Sequence, residues 1–161
     1  MAAKDITERA LENYNDVFAD ILNVLLFNGE PVIQPEELEN DVVTSALKVE
    51  AKIREQERDV SKIWKQGKVH MLLCGLENQT SVDYTMPLRV ISYDGASYKA
   101  QLLRQKDDRN VGETPRSVAP VLTLVLYFGT DHWTGPRRLK ECIQVPPTLD
   151  GLVNDYPIHV F

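Results

Sequence analysis

The stretch VHMLLCGLENQ, from Val69 to Gln79, contains the two features on which the rest of the interpretation depends. From Val69 to Leu76 it is the most apolar strand candidate in the first half of the chain. It then ends in the polar triplet of Glu77, Asn78 and Gln79. Short apolar runs bounded by turn signals are typical of buried strands, and polar groups at their rims are costly without partners. The stretch predicts a core strand that places polar side chains at one end of a sheet.

The sequence after this strand predicts a helix and then a second buried strand. Pro87 to Arg104 favours a helix, because Pro is tolerated in the first turn, and the expected inner stripe is Leu88, Ile91, Ala96 and Leu102 or Leu103. A charged connection from Lys106 to Ser117 leads to VAPVLTLVLYF, Val118 to Phe128, which predicts a central strand buried on both faces. Arg137 to Ile143 is a short helix candidate, and Ile158 to Phe161 resembles a strand.

The sequence before the opening stretch predicts one helix and two strands. Apolar spacings of three and four favour a helix from Asp5 to Phe27, with Asn28 and Gly29 as its stop. Pro31 to Asp41 is rich in proline and glutamate and predicts a surface loop. Ser45 to Arg54 alternates approximately and favours a half-buried strand, with a charged helix as the alternative. A short strand from Asp59 to Ile63 then precedes a turn at Gln66, Gly67 and Lys68.

The resulting order is helix, strand, strand, strand, helix, strand. Strands alternating with helices predict a mixed sheet flanked by helices, of the α/β or α+β class. The length of 161 residues is that of one domain, spanning residues 1–161. Because the chain stops at Phe161 within an apparent strand, it is expected to be a fragment truncated at its C-terminus.

Several classes of protein lack support in the sequence. There is no apolar run of 18 residues, and the N-terminal stretch is charged throughout, so no membrane span or signal peptide is expected and a cytoplasmic location is predicted. The motifs GxxxxGK[ST], GxGxxG, GxSxG and HExxH are also missing. Phosphate-cradling loops, dinucleotide binding, the hydrolase elbow and the zinc-protease helix are therefore not indicated.

An acidic pair provides the candidate chemistry. Asp59 opens a short predicted strand and Glu77 closes the next one, so antiparallel pairing would place the two carboxylates side by side. Two such carboxylates form a hard oxygen site suited to Mg²⁺. Gln79 is expected on the same face as Glu77, since strand side chains alternate, and it can orient a water or a phosphate oxygen. The alternative is that both carboxylates are simply solvated or salt-bridged.

Four segments together resemble a known family: VFADILNVLLFNG from Val17, ERDV from Glu57, LENQTSVDYTMPLRVISYDGASYKAQL from Leu76, and PVLTLVLYFGTDHWTGPRRL from Pro120. They resemble the transposase-like family of PD-(D/E)XK nucleases, which is related to the recombination-promoting nucleases. The resemblance covers most of the chain. It implies a restriction-endonuclease-like αβββαβ core, the same order that the patterns above predict.

The resemblance also implies roles for individual residues. Asp59 matches the metal-binding aspartate, and Glu77 matches the acidic ligand of the (D/E)XK motif. Gln79 stands where most members of the superfamily have lysine, so a cation is replaced by a group that can only form hydrogen bonds. Asp20 resembles an acidic position that many such nucleases contribute from the first helix, with an ordinary surface aspartate as the alternative.

The second helix borders the active site in the implied fold. Arg89, Tyr93 and Gln101 fall roughly on one face at spacings of four and eight, where they would meet the DNA backbone or brace Glu77. The alternative is that Tyr93 belongs to the core and Gln101 is solvated.

The expected function is that of a DNA endonuclease dependent on Mg²⁺ or Mn²⁺ and associated with transposition or recombination. The alternative is a weak or inactive nuclease-fold module that binds nucleic acid or a protein. An RNA substrate is a third and weaker alternative, on which the sequence does not decide. A homodimer is a further expectation, since cutting both strands takes two sites. The net charge is −6, but residues 61–140 hold 12 basic and 7 acidic residues, a net charge of +5. This local polarity favours a nucleic-acid partner bound in a salt-sensitive way.

Overall fold

The computed structural model describes residues 10–41, 45–49, 52–56, 59–67, 69–107 and 118–161. Its two long helices are α1, Asn15–Phe27, and α2, Met86–Asp107. In chain order the strands are β1 Leu38–Asn40, β2 Ser45–Val49, β3 Lys52–Gln56, β4 Val60–Gln66, β5 Val69–Gln79, β6 Val121–Tyr127 and β7 His159–Val160. Short 3-10 turns lie at Pro35–Glu37, Leu139–Glu141 and Pro147–Leu149.

The main sheet is mixed and has five strands in the order β1-β4-β5-β6-β7. β4 pairs antiparallel with both β1 and β5, whereas β6 pairs parallel with β5 and β7. Helix α2 makes the crossover between the parallel strands β5 and β6, as a parallel connection requires. The predicted fold class, a mixed sheet with helices, is confirmed, and the arrangement is consistent with a restriction-endonuclease-like core.

Strand β6 is the buried central strand that the sequence predicts. It lies between β5 and β7, and Thr123, Leu124 and Val125 are all inaccessible to solvent or nearly so. Successive side chains of β6 enter opposite layers, because strand side chains alternate between the two faces of a sheet. Leu124 and Leu126 pack on the layer of α1, and Val125 packs on the layer of α2.

Two apolar clusters join the helices to the sheet. The first unites Phe18 and Leu22 of α1 with Leu76 of β5 and Leu124 of β6. The second unites Met86 and Val90 of α2 with Val125, Ile158 and Val160. The sheet is thus covered by α1 on one face and by α2 on the other, and burial of these side chains provides the main driving force for the arrangement.

The inner face of α2 is not the stripe that the sequence predicts. Leu88, Leu102 and Leu103 are exposed, while Ile91 and Ala96 are only half-buried. The buried residues of this helix are Met86, Val90, Tyr93, Asp94 and Ser97. The prediction was wrong because it counted apolar residues alone, whereas this helix turns polar side chains towards the sheet.

Those polar side chains bond α2 to the strands beneath it. Asp94 accepts hydrogen bonds from the hydroxyls of Thr123 in β6, at 2.6 Å, and of Tyr156, at 2.5 Å. Further along the helix, the hydroxyl of Tyr98 accepts from the backbone N–H of Val121 at 3.0 Å. These bonds satisfy buried polar groups and fix α2 on the sheet at successive turns.

Two predictions for the segment before β4 are wrong. The loop predicted from Pro31 to Asp41 contains a 3-10 turn and the edge strand β1, which pairs with β4. The single strand predicted from Ser45 to Arg54 is instead two strands, β2 and β3, which pair antiparallel as a separate two-stranded sheet. The strand that completes the αβββαβ order in the main sheet is therefore β1, because its backbone pairs with β4.

The predicted first helix is interrupted. Residues 10–12 are helical, the chain turns at residues 13 and 14, and α1 begins at Asn15 and ends at Phe27. Asn28 follows in the left-handed region, with φ of 54°, as the predicted stop requires. The predicted residues before Ala10 lie outside the described part of the chain.

The remaining element boundaries differ modestly from prediction. Helix α2 extends beyond the predicted Arg104 to Asp107, so the start of the expected connection is helical and its residues 108–117 lie outside the described part. Gly67 has φ of 61°, which supports the predicted turn between β4 and β5, while Lys68 lies outside the described residues. The expected short helix at Arg137 is a single 3-10 turn. Across the described ranges, no helix has the length and apolarity needed to cross a membrane.

Lys62 is a fully buried cation that fixes the start of α1 against the sheet. Its ammonium group donates to the backbone carbonyl of Asn13 at 2.8 Å and to the side-chain oxygens of Asn15 at 2.8 Å and Asn40 at 2.7 Å. It also lies 5.6 Å from the ring centre of Phe18. Burial lowers the pKa of Lys62, and the three oxygen acceptors compensate for the loss of water.

We expect Lys62→Met to destabilise the protein by about 2–3 kcal/mol, because each buried acceptor left without a donor costs about 1–3 kcal/mol. Removal of a buried charge offsets part of this loss. Urea unfolding of the variant beside Lys99→Met, a matched change at an exposed lysine of α2, measures the difference. Equal midpoints for the two variants would contradict the proposed role of the Lys62 contacts.

Candidate functional site

The polar triplet at the end of β5 divides between the two faces of the sheet. Glu77 and Gln79 point to the layer of α2, while Asn78 points to the opposite layer. The amide of Gln79 donates to Oε1 of Glu77 at 3.3 Å, so these two side chains do share a face. The backbone of the triplet is held by β6, where Glu77 pairs with Val125 and Gln79 with Tyr127.

Glu77 is a buried carboxylate with a cation beside it. Only 2% of the residue is exposed, and its Oε1 accepts from Nη2 of Arg89 in an ion pair. An ionised carboxylate away from water is strongly unfavourable unless a charged or hydrogen-bonding partner compensates. The placement of Arg89 on the first turns of α2, directly over the end of β5, supplies that partner.

Arg89 contacts two more side chains. Nη1 donates to Oδ2 of Asp83 at 2.9 Å, and Nη2 donates to the hydroxyl of Tyr93 at 3.1 Å. The guanidinium also lies 6.0 Å from the centre of the Tyr93 ring. Burial would lower the pKa of Arg89, but the charge of Glu77 and the bonds to Tyr93 and Asp83 outweigh burial and raise it. Arg89 therefore stays cationic.

Asp83 connects this ion pair to the beginning of α2. Its Oδ1 accepts from both the backbone N–H and the hydroxyl of Thr85, each at 2.7 Å. Burial pushes the pKa of Asp83 upwards, but the bonds from Thr85 and Arg89 outweigh it and hold the pKa below its usual value. Asp83 thus stabilises the helix start and anchors Arg89 at the same time.

Asp59 lies at the same end of the sheet as Glu77. Val60 pairs with Leu76 in the antiparallel β4–β5 ladder, so Asp59 is next to this pair at the strand end. Its Oδ2 accepts from the backbone N–H of Asn78 at 2.7 Å. The pKa of Tyr93 is raised by burial, then by the charge of Glu77 and, more weakly, by that of Asp59. Both carboxylates therefore disfavour ionisation of the Tyr93 hydroxyl, against the opposing effect of Arg89.

Glu12 is a further acidic residue at this end of the sheet, and the sequence interpretation missed it. It is buried, and its Oε2 accepts from the side-chain amide of Asn78 at 2.9 Å. Asn78 thus has a carboxylate on its side chain and another, Asp59, on its backbone N–H. Glu12 lies 66 residues before Asn78, and no local pattern in the sequence distinguishes it from the surrounding polar residues.

Asp20 is not brought to this cluster. It is exposed on α1, whose buried residues Phe18, Ala19 and Leu22 face the sheet. Among the described residues, no hydrogen bond or ion pair joins Asp20 to Asp59 or Glu77. The acidic residue from the N-terminal helical region that lies beside the triplet is Glu12.

Gln101 lies further along α2 and holds the backbone before β6. Its side-chain amide donates to the carbonyl of Ala119 at 3.1 Å and its oxygen accepts from the N–H of the same residue at 2.8 Å. Of the three predicted residues on this helix, Arg89 and Tyr93 contact each other and Arg89 contacts Glu77, whereas Gln101 clamps a loop.

A comparison with protein families matches residues 18–161 to the family described as "Putative transposase, YhgA-like". The match covers nearly the whole chain, including Asp59, the triplet and Arg89. The chain belongs to the YhgA-like transposase family. Searches of curated proteins and of solved structures find no match.

In this member of the YhgA-like family, the side chains at the end of the sheet have the chemistry of ligands for a divalent cation. Asp59 and Glu77 provide carboxylate oxygens, the ligands that Mg²⁺ prefers. The contacts to Asn78 and Arg89 engage one oxygen of each carboxylate, Oδ2 of Asp59 and Oε1 of Glu77. Within the described ranges, no group of three or more His, Cys, Asp and Glu residues is arranged to hold a metal ion. Two carboxylates with water as the remaining ligands match the way Mg²⁺ usually binds.

We expect Asp83→Asn to destabilise the protein by about 1 kcal/mol at neutral pH, because it removes the charge that pairs with partly exposed Arg89 but keeps an acceptor for Thr85. The pKa of Asp83 is lowered on folding, so its contribution is present above the ordinary carboxyl pKa of about 3.9 and is lost as the pH falls through the folded value. Urea unfolding at neutral and acidic pH measures the change.

The matched control for this prediction is Asp150→Asn, at an exposed carboxylate 2.9 Å from Lys140. A loss of stability from Asp83→Asn that is equally large at neutral pH and below the folded pKa would contradict the role of the Asp83 charge.

Proposed function

We propose that this protein is a metal-dependent DNA endonuclease of the PD-(D/E)XK type, using Mg²⁺ or Mn²⁺, that hydrolyses phosphodiester bonds in transposition or recombination. The observation that carries the proposal is the buried Glu77 at the end of β5, with Asp59 directly before the paired strand β4 and Arg89 of α2 beside it. Membership of a family described as transposases supports DNA as the substrate.

The roles of the residues follow from their contacts. Asp59 and Glu77 would hold the ion, since both are carboxylates at one sheet end. When bound, such an ion polarises a phosphodiester and lowers the pKa of a coordinated water. Gln79, on the same face as Glu77, carries a neutral amide that can orient a water or donate to a phosphate oxygen. Tyr93 holds the guanidinium of Arg89 and stays protonated, because its pKa is raised.

The charge distribution agrees with a polyanionic substrate. The segment of residues 61–140, which includes Glu77, Arg89 and α2, has 12 basic and 7 acidic residues, although the whole chain is acidic. A positive net charge supports electrostatic binding that weakens as salt is raised, and its small size predicts that this binding is weak. A homodimer would provide two such sites, one for each strand of a duplex.

We expect the protein to nick supercoiled plasmid DNA with Mg²⁺ or Mn²⁺, and Asp59→Asn and Glu77→Gln each to reduce the rate by about 100-fold or more, since each removes a charge from the ion site. Asp150→Asn is the matched control on an exposed acidic residue. Equal cleavage by the wild type and both site variants would indicate a contaminating nuclease and reject the assignment.

Glu12 and Asp20 provide a second, independent test. Because Glu12 holds the side chain of Asn78, whose backbone N–H bonds Asp59, we expect Glu12→Ala to slow nicking about tenfold, and Glu12→Gln to retain more activity, since an amide oxygen can still accept from Asn78. Asp20→Ala, at the exposed position that the sequence predicts as a metal residue, is compared in the same assay. A larger loss from Asp20→Ala than from Glu12→Ala would reverse this assignment.

A second candidate function is a nuclease-fold module that binds nucleic acid without cutting it. The ion pair of Arg89 with Glu77 favours it, because a guanidinium already neutralises the buried carboxylate. Calorimetry with Mn²⁺ separates the two candidates. Mn²⁺ binding that Glu77→Gln abolishes supports the nuclease, whereas DNA binding without any uptake of Mn²⁺ supports the module. Competition with RNA in the same binding assay identifies the preferred nucleic acid.

A further inference from the structure

We propose that Arg89 binds the substrate phosphate. In the absence of metal it is paired with Glu77, and it is released when a divalent cation binds that carboxylate. The inference rests on the proposed nuclease function. It identifies Arg89 as the cationic side chain that binds the phosphate in the nuclease site. It makes Arg89 a catalytic residue and Asp83 the residue that positions it.

The first argument is the geometry of the guanidinium. Three acceptors, on Glu77, Asp83 and Tyr93, account for the hydrogen bonds of Arg89 among the described residues, and they engage Nη1 and Nη2. A guanidinium has five N–H donors, so the group keeps donors for another acceptor. The Arg89 side chain is 35% exposed while Glu77 is buried, so the cation forms the outer surface of the site.

The second argument is the balance of charge. Glu77 and Asp83 each carry one negative charge against the single positive charge of Arg89. A cation that binds Glu77 weakens the attraction of this carboxylate for Arg89, because one buried anion is then shared between two cations. Arg89 would then bind an anion more favourably than it does in the ion pair.

The third argument is that Arg89 has a second anchor. Asp83 is fixed by two bonds from Thr85 at the start of α2, and Tyr93 lies one turn along the same helix. When Arg89 is released from Glu77, Asp83 and Tyr93 therefore keep its guanidinium in place and limit its motion. A preorganised cation of this kind stabilises charge that develops in a transition state.

The fourth argument is chemical. The planar fork of arginine matches the geometry of a phosphate, and Gln79 beside Glu77 has no charge to offer. In this site the positive charge nearest the buried carboxylate comes from the helix residue Arg89. A phosphate bound there would lie at the same sheet end as Asp59 and Glu77.

The test uses two measurements on Arg89→Met, because Mn²⁺ binding is expected to be kept or strengthened while nicking is expected to fall. Calorimetry with Mn²⁺ alone is expected to show binding as tight as in the wild type or a few-fold tighter, since a competing cation is gone. Plasmid nicking at saturating Mn²⁺ is expected to fall about 100-fold. Arg138→Met, at an exposed arginine paired with Asp155, is the matched control.

Arg89→Lys keeps the test decisive if Arg89→Met, which leaves buried Glu77 without its cation, prevents folding. Lysine retains the charge but not the fork, so we expect Mn²⁺ binding close to that of the wild type and nicking reduced about tenfold. A thermal unfolding curve for each variant shows that the measured protein is folded.

Three results would overturn the inference. Weaker Mn²⁺ binding together with slower nicking would show that Arg89 only holds Glu77 in place. Faster nicking by Arg89→Met would show that Arg89 only blocks the ion. A wild-type protein that neither binds Mn²⁺ nor nicks DNA rejects the proposed function and the inference with it, and it is recognised because the wild type itself fails.

Discussion

The burial of one negative charge, that of Glu77 at the end of β5, constrains the structure around it. A carboxylate removed from water requires a compensating cation, and Arg89 can supply it only if α2 presents this face to the sheet. The same rotation turns Tyr93 and Asp94 inwards and leaves Leu88 and Leu102 exposed. Electrostatics, rather than apolar burial alone, therefore determines how α2 sits on the sheet.

The parts of the fold that could be predicted are those whose sequence carries its own signal. β5 and β6 each contain a continuous apolar run, and α1 has a clear helical period followed by a left-handed stop. The short strand β1 has no such run, because it is an edge strand that exists through its backbone pairing with β4. Pairing of this kind is a tertiary property, and local propensity does not determine it.

The candidate site was predictable in part for the same reason. Antiparallel pairing of consecutive strands follows from a short turn, so the proximity of Asp59 and Glu77 could be expected from the sequence. Glu12 reaches Asn78 across 66 residues of chain, and no periodicity indicates such a contact. The capping role of Asp83 could be predicted, since an aspartate shortly before a helix is a typical cap. Its bond to Arg89 follows only from the geometry of the helix start.

The hydrogen bond from Tyr156 to Asp94 gives the last part of the chain an influence on a distant region. Asp94 lies just over one turn after Arg89 on the same helix and also holds Thr123 of β6. The position of α2 on the sheet thus depends both on the Arg89 contact with Glu77 and on the Asp94 contact with Tyr156, close to the C-terminus. A substitution at position 156 therefore acts on the helix that carries Arg89 without changing any residue that touches the Arg89 ion pair.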